Sequence, residues 1–369
     1  MRKDWEYKKL GEIGTIITGS TPSTKDNSNY LPQEYCFVKP SDLIEYGISK
    51  IEETEFYVSK KGFSISRALP AGTVLVSCIG SIGKIGVLTK EACSNQQINA
   101  IVPFDNIDSF YLAYILSGMK YKFKEIANAP VVPIINKTAF SKVIIPIPPM
   151  PTQLAIVAEL DKLNEMIRLK KKQLEDYDQL AQSIFYEMFG DPVENEKGWE
   201  VKKLGNVCDL KAGKAIKASE LSNDNPYPCY GGNGIRGYIN RCSHLESSPI
   251  IGRQGAYCGT VNFAEAPFYA TEHAVVVKSK QNMQIKWLYY TLVNLKLSKY
   301  AKGQAQPGIA VSNLNELVII PLPPLPLQQQ FAARIEAIEQ QKQQVKDAIK
   351  DLETLLASRM QYWFDFTPD

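Results

Sequence analysis

The chain has 369 residues, enough for two domains, with 44% hydrophobic and 22% charged residues and a net charge of only +3. This balance excludes a disordered or collagen-like chain, and no apolar run is long enough to span a bilayer. Seven cysteines, an odd number with no C-x-x-C pair, argue against a disulfide framework or an ordinary zinc site and fit a reducing cytoplasm.

From the N-terminus, "MRKDWEYKKLGEI" carries charge without an apolar h-region and does not read as a secretory signal. Short apolar runs follow, "GTVLVSC", "KIGVLT" and "INAIVP", separated by Gly, Pro, Asn and Ser; these are predicted strands. A helix, "DSFYLAYILSG", precedes a last strand, "SKVIIPIP". The pattern then changes from period 2 to a heptad. Apolar residues step by four and three through Ile156, Leu160, Leu163, Ile167, Leu174 and Tyr177, with Lys170 as the one break.

The second half of the chain repeats the first. "WEYKKLGEI" at Trp5 returns as "WEVKKLGNV" at Trp199, "FYLAYIL" as "KWLYYTL", and "VIIPIPPMPTQ" as "VIIPLPPLPLQQQ". The second heptad runs through Phe331, Ile335, Ile338, Val345, Ile349 and Leu352, in register with the first and broken by Lys342 and Arg359. The expected fold class is α+β: two mixed α/β globular domains separated by two long helices that form an antiparallel coiled coil, with a pseudo-two-fold internal repeat. The domain boundaries read as 1–150, 151–190 (helix), 191–325 and 326–369 (helix). Proline fixes φ and has no N–H, so each proline phrase ends a strand and holds the following helix apart.

Few residues point to catalysis. "GSIGKIG" at Gly80–Gly86 has the wrong spacing for a phosphate loop, and "DNPYP" at Asp224–Pro228 lacks a cofactor cradle nearby. There are two histidines, His244 and His273, and no paired carboxylates or Ser/His/Asp set. The catalytic and metal sets are therefore empty. The turns instead combine glycine with Arg, Lys, Asn, Gln, Ser and Tyr, residue types that contact base edges and phosphates. Two mildly basic blocks alternating with two mildly acidic ones permit a polyanion partner. The candidate DNA contacts are Ser20, Thr21, Lys39, Ser81, Lys84, Gln96, Gln97 and Lys137 in the first copy. In the second they are Lys214, Asn233, Arg236, Tyr238, Arg253, Gln254, His273 and Gln304, of which glycine neighbours expose Arg236 and Arg253 most.

The repeat, the two proline phrases opening the long helices, "SIFYEMFGDP" closing the first helix and "WEVKKLG" opening the second copy resemble the specificity (S) subunits of type I restriction–modification systems. The resemblance covers nearly the whole chain; the first phrase departs from the usual form at Met150 and Thr152 but keeps Gln153. It implies two target recognition domains, each reading one half of a bipartite double-stranded DNA target, with a helix pair as ruler. It implies two methyltransferase (M) subunits and restriction (R) subunits as partners, a cytoplasmic location and no membrane. S-adenosylmethionine, ATP and Mg²⁺ would be held by those partners, none by this chain. Phe185 and Phe189, off the heptad seam, are the expected contacts to partner subunits, with packing under the adjacent domain as the competing explanation. A self-contained DNA-modifying enzyme and a coiled-coil scaffold without nucleic acid are the alternative functions.

Overall fold

The computed structural model describes residues 5–45, 47–127, 132–303 and 307–364. The chain folds as two compact units, Met1–Leu169 with Ala348–Asp369, and Lys170–Asp347. The long helices, Met150–Phe189 and Leu325–Phe364, begin inside the two proline phrases, and each contributes one part to either unit. The units therefore do not end at 150 and 325, where the change of sequence period falls. The reason is burial: helix residues fill the cores of the globular parts.

In unit 1 a five-stranded sheet runs in the order Gly14–Thr18, Ile98–Pro103, Val74–Ser77, Ile85–Leu88, Ile48–Ile51. Alternate side chains of a strand face opposite sides, and both sides here are covered. Val74, Val76, Ile85, Val87 and Ile101 join one core with the helix Ser109–Gly118, Leu10, Ile156, Leu160 and Phe364. Leu75, Leu88, Ile98 and Ala100 join a second core with Cys36, Val38 and Ala92 of a three-stranded sheet, in which Tyr35–Val38 pairs in parallel with Ala92–Ser94. A separate antiparallel pair, Glu6–Lys9 with Ile144–Ile147, closes the base beside the proline phrase.

Unit 2 repeats this plan with changes at the sheet edges. Its sheet runs Cys208–Ala212, Ala274–Ser279, Ser248–Gly252, Val261–Ala264. Ile251, Val275 and Val277 face the helix Ile285–Asn294 and the long helices, while Ile250, Ala274 and Val276 face a second core. Tyr227–Gly231 pairs in parallel with Tyr269–Ala270, and Val201–Lys203 pairs antiparallel with Ile319–Pro321. The copies differ at the edges. Unit 1 adds Ile48–Ile51 to its main sheet, and the short antiparallel neighbour of its small sheet, Tyr57–Val58 beside Tyr35–Val38, is replaced in unit 2 by the longer hairpin strand Gly234–Ile239 beside Tyr227–Gly231.

The heptad seam is present. Ile156, Leu160, Leu163, Ile167, Phe331, Ile335, Ile338, Val345 and Ile349 are buried, and Leu174, Tyr177 and Leu352 are half-buried. In unit 2 the helices run antiparallel: Asp178 pairs with Lys342, and further along the first helix Phe189 packs on Phe331, earlier in the second. The polar residues that interrupt the seam all have partners. Lys342 meets Asp178, Lys170 donates to Gln173 at 3.1 Å, and Arg359 pairs with Glu159.

Phe185 and Phe189 correct the sequence reading. They are 1% and 2% exposed, inside the core of unit 2 with Trp287, Leu314 and Phe331, and so present no surface to a partner subunit. Packing under the adjacent domain is their role. The heptad seam is too narrow to hold them because the helix also forms one wall of that domain.

The Arg359 guanidinium, with the Trp363 indole donating at 3.0 Å, holds the Glu159 carboxyl below its ordinary range. A carboxyl lowered in the folded state stabilises fully above the unfolded value of about 4.3 and loses that contribution as pH falls through the lowered value. Glu159→Gln is expected to cost ~1–2 kcal/mol at neutral pH. Urea titrations from pH 7 down to pH 3 should show the difference from wild type shrinking with acid; a constant difference would refute the assignment.

Candidate nucleic-acid interface

The same loop junction recurs in both units, built by a glycine after the first strand of the main sheet. In unit 1, Gly19 N–H donates to the Ile98 carbonyl at 3.0 Å and Ser20 N–H to the Ser94 carbonyl at 2.8 Å. In unit 2, Gly213 N–H donates to Ala274 at 3.0 Å and Lys214 N–H to Ala270 at 3.1 Å. A Cβ on Gly19 would stand 2.1 Å from the Asn95 carbonyl oxygen, and one on Gly213 2.0 Å from that of Ala270. Such distances admit no side chain, so glycine is needed for the close approach of the two loops in each copy.

Around the first junction the structure gathers Ser20, Thr21, Lys39, Gln96 and Gln97. Thr21 Oγ1 donates to Gln96 Oε1 at 2.6 Å, and Asn95 Nδ2 donates to Gln97 Oε1 at 2.8 Å. The Val38 carbonyl beside Lys39 accepts from Asn95 N–H at 3.1 Å. Lys39 Nζ lies 3.0 Å from the Phe56 ring centroid, a cation–π contact that occupies the charge. The next loop is tied in by Cys78 N–H to the Gln97 carbonyl at 2.7 Å. In that loop the Ser81 carbonyl accepts from Ser77 Oγ. Lys84 is turned inward, its Nζ 3.8 Å from Glu45 and 3.3 Å from the Pro40 carbonyl. Lys84 is thus a part-buried cation that shares the Glu45 carboxylate with Lys120. Lys137 stands exposed as the first residue of the helix Lys137–Ser141.

In unit 2 four of the candidates share one cavity of ≈310 Å³: Asn233, Arg236, Gln254 and His273, together with Tyr257 and the glycines 231, 232 and 255. Arg253 is joined to its wall, N–H to the His273 carbonyl at 3.0 Å, and Lys214 lies on the adjoining loop. His273 Nε2 is 3.3 Å from Glu272 Oε1. Tyr238 lies outside the cavity, on the hairpin strand Gly234–Ile239, with its ring exposed. Gln304 falls outside the described residues. Tyr257, 56% exposed, is the functional candidate that the residue types in "GRQGAY" offered and the sequence reading passed over.

The chemistry of these loops is hydrogen bonding and charge. Burial pushes the Cys78 thiol up to about 11 and those of Cys93 and Cys208 up to about 12, so they stay protonated and unreactive. His244 stacks on Phe268 at 4.8 Å, and its desolvation lowers its basicity. Among the described residues no three His, Cys, Asp or Glu side chains are grouped to hold a metal, and no helix is long and apolar enough to cross a membrane.

Comparison with known proteins adds an independent finding. A family model described as "Type I restriction modification DNA specificity domain" matches residues 2–176 and again 196–353. The EcoprrI specificity subunit of Escherichia coli is 30% identical over 342 residues, covering 85% of this chain and 82% of the relative. The MjaIX specificity subunit of Methanocaldococcus jannaschii is 27% identical over 378 residues, covering 91% and 87%. The crystal structure of the type I restriction–modification S subunit from M. genitalium superposes with a TM-score of 0.59 at 16% identity, covering 99% of this chain and 96% of that one. A chain from a structure of the type I restriction–modification system, solved to explain complex assembly and conformational transition, gives 0.61 at 19% identity, covering 98% and 97%. At those identities the structural likeness speaks for the fold alone.

Proposed function

The chain belongs to the type I restriction–modification DNA specificity family, and from that premise we propose that each unit reads one half of a split duplex target while the long helices set the gap between the halves. One observation carries this reading: a single strand plan is built twice, with the same glycine junction but different side chains around it. Two copies of one scaffold with different loops can read two different sequences. Each long helix has 40 residues, a rod of ~60 Å, longer than the ~34 Å of one DNA turn that half-sites need between them.

In this reading two methyltransferase subunits and the restriction subunits assemble on the chain. They supply S-adenosylmethionine, ATP and Mg²⁺ chemistry, in the cytoplasm, and the target base is modified by flipping it out of the duplex in the methyltransferase. Phe185 and Phe189 take no part in that docking. The chain itself contributes recognition.

The test is selection from a library of duplexes with two randomised blocks at varied spacing, using the full chain alone and copurified with its methyltransferase subunits. A bipartite motif with a fixed gap is expected. A continuous motif would remove the two-reader model, DNA modification by the chain alone would favour a self-contained enzyme, and no enrichment in either sample would favour a scaffold.

A further inference from the structure

The two glycine junctions are equivalent in backbone and differ in how far their polar groups are engaged. At the unit 1 junction the neutral polar groups are engaged with one another, exposed Thr21 with Gln96 and buried Asn95 with Gln97, and the exposed Arg67 is engaged as well, donating to the Thr18 carbonyl at 2.6 Å. Of the candidate lysines of unit 1, Lys39 lies over the Phe56 ring and Lys84 faces Glu45, while Lys137 stands apart on its helix. In unit 2 the cavity holds an exposed cation, Arg236, that has no ion pair or hydrogen bond among the described residues. Beside it stand the exposed amides of Asn233 and Gln254.

A second observation concerns the surrounding wall. Folded proteins leave few buried polar atoms without a partner, and each one asks for an explanation. Among the described residues eight such side-chain atoms occur, and five belong to this region: Arg253 Nε, Asn262 Nδ2, Thr271 Oγ1, Glu272 Oε2 and His273 Nδ1. Three are consecutive in sequence, Arg253 is bonded through its backbone to His273, and Asn262 lies 3.3 Å from where a Cβ of Gly234 would be. A local fold that leaves so much hydrogen-bonding capacity unused beside an unpaired guanidinium is arranged around something outside the chain.

We propose that this cavity is a base-reading site and that Arg236 reads a guanine. The proposal rests on the DNA-reading function above and deepens it. On the major-groove edge guanine alone offers two acceptors, O6 and N7; adenine offers one acceptor and one donor, thymine one acceptor and a methyl group, cytosine a donor. A guanidinium fork matches two adjacent acceptors with two parallel N–H bonds, and an ammonium does not reproduce that geometry. The guanidinium beside the unit 1 junction, Arg67, is engaged with the Thr18 carbonyl, whereas Arg236 is unengaged among the described residues, so the two half-sites differ: unit 2 demands a guanine at one position through a charged contact.

Selection from the same duplex library, with the full chain copurified with its methyltransferase subunits, tests this through Arg236→Ala and Arg236→Lys. Wild type should enrich guanine at one position of one half-site. Both variants should lose that preference, with affinity for the wild-type motif down by about 10- to 100-fold, while the other half-site stays unchanged. Arg236 is exposed, so thermal melting of the variants should match wild type. A uniform loss of affinity with the motif intact, restored by lysine, would make Arg236 a phosphate contact and overturn the proposal; so would an unaltered motif in both variants. Wild type enriching no sequence would bring down the DNA-reading function itself and the guanine assignment with it, an outcome distinct from a motif that ignores Arg236.

Discussion

Phe331→Ala is expected to remove ~3–5 kcal/mol of stability from unit 2, the cost of emptying a fully buried aromatic site. The ring is 0% exposed and its centroid lies 5.7 Å from Phe185, 5.3 Å from Phe189 and 5.2 Å from Tyr290. Edge-to-face pairs of this kind add ~0.5–1.5 kcal/mol each beyond the area they bury. Against the ~5–15 kcal/mol that holds a typical domain together, the loss is a large share. It should be confined to one unit. Hydrogen exchange is the decisive measurement: the strands Ser248–Gly252 and Ala274–Ser279 should lose protection, while Val74–Ser77 and Ile98–Pro103 keep theirs. Phe331→Leu, which keeps most of the volume, should cost less than half as much. If the alanine variant lost under 1 kcal/mol, or exchange rose equally in both units, the long helix would not be a wall of the recognition unit.

That result bears on how far the sequence could be read. Periodicity is a local signal, so the strands, the two heptads and their common register were legible from residues such as Ile156, Leu160, Ile335 and Val345. The duplication was legible because the landmarks recur in one order. Phe185 and Phe189 were ambiguous for a physical reason: a helix that serves a seam and a domain core needs two apolar faces, and a second apolar face also looks like a docking surface. The loops were legible in composition but not in commitment. Nothing in the sequence around Lys39 or Lys84 says that Phe56 and Glu45, both distant along the chain, take up those charges. Likewise, Asn233 and Arg236 come from one hairpin and Gln254 and His273 from two separate loops, and only tertiary structure makes one cavity of them.

The paired proline phrases gain their meaning from the first glutamine that follows the prolines in each, Gln153 and Gln328. Gln153 is 1% exposed; its Oε1 accepts from Asp108 N–H at 2.9 Å, and its Nε2 donates to the Pro148 carbonyl at 2.9 Å and the Asn106 carbonyl at 3.1 Å. Gln328 does the same in unit 2, accepting from Gln284 N–H at 3.0 Å and donating to the Pro323 carbonyl at 2.8 Å. Proline has no N–H to donate, so the phrase meets its helix only through carbonyls, Pro149 accepting from Gln153 N–H at 3.1 Å and Pro324 from Gln328 N–H at 3.2 Å; the side-chain amide, with both donor and acceptor, adds the ties to the domain. Asp108 and Gln284 are the N-caps of the helices Ser109–Gly118 and Ile285–Asn294. One buried amide therefore ties strand end, domain helix and long helix together in each unit. Gln153→Ala should cost ~2–4 kcal/mol, since it leaves a buried N–H and carbonyls unpaired and opens a small void. Gln153→Glu keeps the size and one acceptor but loses both donors, and should be nearly as costly. Denaturant titration measures the loss, and selection from the bipartite library reads its consequence. With the joint loosened, the preferred gap between half-sites should broaden by a base pair or more while the half-site sequences stay the same. An unchanged gap preference in a destabilised variant would make the amide a stability element only, and a changed half-site sequence would place its influence in the reading loops instead.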